Sequence, residues 1–147
     1  MRFLRIALLL STIVAAAAPA AAQQRPYTPA RGSAVRTAIM DGIRAGIRDV
    51  RGLDRPVVFR VHKLAVLGDW ALTMVTPQTP EGARIPEYER ELECDREIIA
   101  LLHRRENGWR LVERDVGPCD YAWRDIFREQ GYPAALLEYW ENLPSDF

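Results

Sequence analysis

His62 and His103 are the only imidazoles in the chain, and an imidazole oriented by a carboxylate inside a pocket is the usual general base near neutral pH. His62 falls on the Arg60 side of a strand pattern, away from Phe59 and Val61, while His103 precedes a turn beside Arg104 and Arg105. Both positions point to solvent, so no catalytic histidine is assigned. Asp69 and Asp115 are the carboxylates that a small cone-type isomerase, dehydratase or hydrolase would use as base in a tryptophan-lined pocket. That enzyme reading is the alternative, and it requires a cavity of roughly 300 Å³ or more with a buried carboxylate or imidazole. Neither Ser33 nor Ser145 has the nearby His or Asp pattern of a nucleophile elbow.

Glu87, Glu89, Glu91, Glu93, Asp95 and Glu97 occupy every second position. Along a strand such ligands diverge instead of converging on one ion, so the expected role is a surface ladder facing arginines, with no metal. No cofactor motif occurs, and none is expected. Arg44, Arg48, Arg51 and Arg55 recur at helical spacing near a helix C-terminus, where cations also suit the helix dipole; they form a candidate anion-binding face, with a solvated or ion-paired face as the more ordinary reading. Trp70, Trp109 and Trp123 are candidate pocket-lining residues, although tryptophans so placed, Trp140 among them, are more often simply core.

The two cysteines, Cys94 and Cys119, have no Cys-x-x-Cys spacing. A disulfide between them is the default if the chain is exported, with free thiols as the alternative. Export is what the first residues indicate: Arg2 and Arg5 precede the apolar stretch Ile6 to Ala18, and Ala20-Ala21-Ala22 supply small residues for cleavage. The expected organisation is a signal peptide at 1–22, a Pro- and Gly-containing linker at 23–32, and a single α+β domain at 33–147. Removing Arg2 and Arg5 from 20 basic residues leaves 18 against 20 acidic ones, a formal charge of −2, with no bulk electrostatic case for nucleic acid. The apolar stretch is short for a membrane span, so no stable membrane anchor is expected.

These groups must be positioned by a small set of elements. From the N-cap candidate Ser33, apolar residues recur at Val35, Ile39, Ile43, Ile47 and Val50, the stripe of a helix that packs on a core. Gly42 and Gly46 weaken that helix unless packing or a close backbone approach explains them, and Gly52 and Pro56 should end it. Val57 to Val66, the turn Gly68-Asp69 and Trp70 to Thr76 predict a hairpin, with Val57, Phe59, Val61 and Ala65 on one face of the first strand. Trp70, Leu72 and Met74 share a face of the second.

Pro86 to Arg105 is ambiguous, since proline at the first position, early glutamates and late basic residues suit a helix. The acidic alternation favours a strand from about Leu92 to Arg104 instead, followed by a turn at Glu106-Asn107-Gly108 and a strand from Trp109 to Val116. A three-residue turn would pair Arg105 with Trp109 and put Ile98, Ala100 and Leu102 on a core face with Val112 and Val116. A strand break at Gly117-Pro118 is then needed to bring Cys119 to Cys94. Two short helices follow: Tyr121 to Gln130, capped by Asp120 with Trp123, Ile126 and Phe127 inward, and one from Pro133 with Leu136, Leu137 and Trp140 on one side.

The run Ala100-Leu101-Leu102-x-Arg104, Gly108-Trp109-Arg110-Leu111-Val112 and Gly117-x-x-Asp120, together with Gly68-Asp69-Trp70-Ala71, resembles small exported proteobacterial proteins with a cystatin-like or NTF2-like α+β fold. The resemblance implies a helix packed on a curved antiparallel sheet of about four strands, and it carries over no active residues. The resulting expectation is a periplasmic or secreted, non-catalytic module that binds a protein, peptide or envelope component through an open sheet face or the arginine-bearing helix. N-terminal sequencing of protein exported from a Gram-negative host should find a mature chain starting at Gln23; a chain still starting at Met1 would overturn this localisation.

Overall fold

Ser33 opens the first helix as expected: its side chain accepts the Arg36 backbone N–H at 3.3 Å. In the structure, a computed structural model that describes residues 25–144, this helix, α1, spans Ala34–Gly46. The signal segment and Ser145 lie outside the described residues. Next come β1 (Val58–Leu67), β2 (Trp70–Gln78), a single helical turn α2 (Pro86–Glu89), β3 (Ile98–Arg105), β4 (Gly108–Val116), α3 (Ala122–Glu129) and α4 (Ala134–Glu141). The strands form one antiparallel sheet in sequence order, so the α+β class and the two hairpins stand.

The sheet is covered on both faces, which corrects the expectation of an open one. Ile39, Ile43 and Ile47 of the α1 stripe are buried against Leu64, Val66, Ala71, Val75, Ile98, Ala100 and Leu102 on the first face. On the second, Leu72, Ile99 and Leu101 meet Trp123, Phe127, Leu136, Leu137 and Trp140 of α3 and α4. Full burial of one aliphatic side chain stabilises by about 1.5–3 kcal/mol, so two such clusters offset much of the ordering entropy. Ile126, expected inward, is 50% exposed, leaving Trp123 and Phe127 to dock α3.

Two bulges decide which residue faces which layer. One lies at His62, between the pairs Val61↔Val75 and Lys63↔Met74. It reverses the alternation, so Ala65 joins the α4 side instead of sharing a face with Phe59 and Val61. The other lies at Val112, between Leu102↔Leu111 and Leu101↔Glu113. The turn is one residue tighter than expected, with Arg105 opposite Gly108, whose φ of 98° suits glycine. Leu111 therefore takes the core position expected of Val112, which is 38% exposed, and the register returns to the expected one by Ile98↔Val116.

The strand expected from Leu92 begins only at Ile98, and the helical alternative holds for Pro86–Glu89. The acidic alternation misled because it is matched to arginines and not to a strand face: Glu87 pairs with Arg55, Glu89 with Arg84 and Arg96, and Glu91 with Arg51. Cys94 and Cys119 form a disulfide with Cα atoms 5.0 Å apart. It ties the segment before β3 to the one after β4, where the chain breaks at Gly117 with φ 67°. Within the expected linker, Tyr27 pairs with Val66 through bonds of 2.9 and 2.8 Å, covering part of the outer edge of β1.

The α1 glycines have a packing reason. A Cβ on Gly42 would lie 2.7 Å from the Trp109 carbonyl oxygen and 3.0 Å from Leu102, and one on Gly46 would lie 2.6 Å from Leu111. Gly42→Ala is expected to lower stability by about 1–3 kcal/mol through overpacking, although alanine improves helix propensity by about 1 kcal/mol. Denaturant titration checks this, and an unchanged or higher midpoint would mean that helix and strand can separate at little cost.

Candidate functional site

The second sheet face holds the best candidate. Leu72 from β2 and Ile99 and Leu101 from β3 form its floor, while Trp123 and Phe127 descend from α3 and Tyr132 from the α3–α4 connection. Between them is a largely apolar cavity of about 220 Å³. Its rim is β4, and the Val112 bulge determines what that rim offers. Beyond the bulge Glu113 stands opposite Leu101 and Asp115 opposite Ile99, which places both carboxylates on the cavity face. The Tyr132 hydroxyl donates to Glu113 at 3.2 Å. Burial pushes the Asp115 carboxyl above its ordinary value, and the nearby Asp120 charge acts in the same direction.

A second cavity of about 280 Å³ adjoins the first, sharing Ile99 and Trp123, and carries Lys63, Asp95, Glu97, Asp120, Arg124 and Trp140. Lys63 donates to the Trp140 and Glu141 carbonyls at 3.4 and 3.2 Å and lies 4.8 Å from the Trp140 ring centroid. It thus closes the C-terminal end of α4, where a cation suits the helix dipole. Desolvation, followed by the Arg124 charge, lowers its pKa.

His62 is not at the surface: the bulge turns it inward to 6% exposure, where Nε2 lies 2.7 Å from Thr76 Oγ1. Thr76 donates to Glu97 Oε1 at 3.3 Å, so Nε2–H of His62 donates to Thr76. A hydroxyl beside an imidazole has the spacing of a nucleophile and its base. Neither side chain lines the two cavities, however, and the chain of bonds accounts for each as a satisfied buried polar group. His103 is half-buried, not solvated, with its ring centroid 4.2 Å from that of Trp70. Asp69 is an exposed partner of Arg104.

The structure disperses the other candidates. Because α1 ends at Gly46, only Arg44 of the four arginines lies on the helix; Arg51 and Arg55 pair with Glu91 and Glu87, and Arg48 is exposed on the following turns. Of the three tryptophans, Trp123 lines both cavities, Trp70 packs on the same face, and Trp109 is buried on the opposite face with α1. Among the described residues no group of three or more His, Cys, Asp or Glu could hold a metal ion, and no helix is long and apolar enough to cross a membrane. The expected register already set Glu113 opposite Leu101, whereas nothing local indicated that Tyr132 would reach it, because that depends on where α3 docks.

Asp115 binds its proton more tightly folded than unfolded, so the native state holds more protons between the two pKa values and stability falls as pH rises through the raised one. Asp115→Asn is therefore expected to raise the denaturation midpoint at neutral pH and to leave it unchanged in acid below the ordinary value of 3.8. Midpoints measured across pH check this; a variant that is less stable at neutral pH would show that the carboxylate supports the fold.

Comparison of the chain with protein-family models, with curated proteins and with solved structures finds no match.

Proposed function

We propose that this protein is an exported, periplasmic or secreted, non-catalytic binding module, and that the cavity beneath α3 takes an apolar group flanked by a cation on a peptide or envelope component. The observation that carries this reading is Asp115, a carboxylate held partly desolvated at the rim of an apolar cavity that the chain's own side chains leave unfilled. Glu113 adds a second acceptor on the same rim. Burying a carboxylate opposes folding, and a cationic ligand would offset that cost. The disulfide fits an oxidising compartment, and the order of one helix followed by two antiparallel hairpins supports the cystatin-like kinship.

At about 220 Å³ the cavity is at the small end for a ligand pocket and suits a compact group. The buried imidazole lies behind Thr76 and not at the cavity wall, which favours binding over catalysis. Benzylamine, an aromatic body with a cationic end, is a suitable probe. It should quench tryptophan fluorescence saturably, and Asp115→Asn should weaken it about tenfold or more, the effect of losing a charge-assisted hydrogen bond. Equal binding by the variant, or no saturable binding at all, would overturn the proposal.

A further inference from the structure

We propose that a cleft between the start of α1 and β1 is a second, independent binding site, for an organic phosphate or sulfate ester. Four guanidiniums line it: Arg31 just before α1, Arg36 and Arg44 on the helix, and Arg60 on β1, with Thr37 and Gln78 as further polar groups. The cleft has a volume of about 760 Å³ and an apolar side formed by Met40, Phe59 and Val61, room for a body larger than the anion alone. Among the described residues lining it there is no aspartate or glutamate.

The charge distribution is what calls for a ligand. A helix N-terminus carries partial positive charge and favours acidic residues. The first turn of α1 has none, and it bears Arg36 instead, with Arg31 just ahead of the Ser33 cap. A bound oxyanion in the cleft would add the negative charge that a helix N-terminus favours, beside guanidiniums suited to receive it. Arg44 is already held in place, donating to the Val57 carbonyl at 2.8 Å and to Asp41 at 2.6 Å with its guanidinium 5.3 Å from the Phe59 ring centroid. Arg36 donates to the Pro29 carbonyl at 3.4 Å. Arg36 and Arg60 engage in further interactions, so the ligand exchanges for part of these. The planar donor fork of arginine matches phosphate and sulfate oxygens in pairs, which sets the ligand class.

NMR titration of the disulfide-bonded protein with phenyl phosphate, phenyl sulfate and phenol tests the site. Either ester should shift the amides of Gly32, Arg36, Thr37 and Arg60 saturably, with weaker binding at high salt. Joint Arg31→Gln and Arg60→Gln substitution should weaken binding by about tenfold or more, whereas Arg110→Gln on β4 should leave it unchanged. Arg31→Gln alone, outside every element, provides the same reading if the double variant fails to fold. The proposal is overturned if neither ester binds, if phenol alone shifts the same amides, if shifts scatter over arginines elsewhere, or if Arg110→Gln weakens binding equally.

Discussion

The distance between α1 and β4 is the constraint on which the first core depends. Gly42 lies against the Trp109 carbonyl with no side chain between them, and Gly46 leaves room for Leu111. This approach lets Ile39 and Ile43 reach Leu102 and Ala100 in the middle of the sheet, while Trp109 is buried under the helix. Arg114 secures the other end of the contact, donating to the Gly46 carbonyl at 2.6 Å and to Asp49 at 2.6 and 2.5 Å. The guanidinium holds the Asp49 carboxyl down to about 2. Asp49 therefore keeps its charge, and the contact its partner, until the pH falls towards that value.

Covering the sheet on both sides creates a problem of parity that the two bulges solve. An unbroken β1 would continue to send the residues in register with Val57, Phe59 and Val61 to the α1 side, so Ala65 and Leu67 would go there in place of Leu64 and Val66. The extra residue, His62, reverses this and is itself turned inward, where Thr76 and Glu97 satisfy it. In β4 the extra residue is Val112. It can remain at the surface because Leu111 has taken its place, and beyond it Glu113 and Asp115 turn to the α3 side. The same irregularity that seats the first core thus supplies the acidic rim of the cavity in the second.

The two clefts differ in sign. The one beneath α3 has carboxylates at an apolar cavity, and the one at the start of α1 has guanidiniums on a wider polar floor. A net charge near zero hides this separation, which follows from strand register and from the N-terminal position of Arg31 and Arg36 relative to α1. The ion pairs between the arginines after α1 and the glutamates around α2 are largely exposed, and pairs of that kind contribute about 0–1 kcal/mol each. They link the loop after α1 to α2 and the loop that follows it.

Local chemistry was legible in the chain. Ser33 and the apolar stripe specify α1, Gly68-Asp69 and Asn107-Gly108 mark hairpin turns, Pro133 begins a helical turn, and the apolar faces of α3 and α4 show in Trp123, Phe127, Leu136, Leu137 and Trp140. Each of these depends on residues within a few positions of one another, so periodicity and turn preferences suffice. The tertiary structure alone decided the rest. A bulge costs one residue of register and leaves no composition signal, so the inward turn of His62 and the opposite destinations of Val112 and Leu111 depend on what each face packs against. Charge spacing was misleading for a related reason: alternating glutamates and evenly spaced arginines look like a strand face and a helix stripe, yet Glu91 and Glu87 are partners of Arg51 and Arg55, between the loop after α1 and the α2 segment. Where α1 stops, where α3 docks and which arginines meet around one cleft are outcomes of packing between segments distant in sequence, and no local rule contains them.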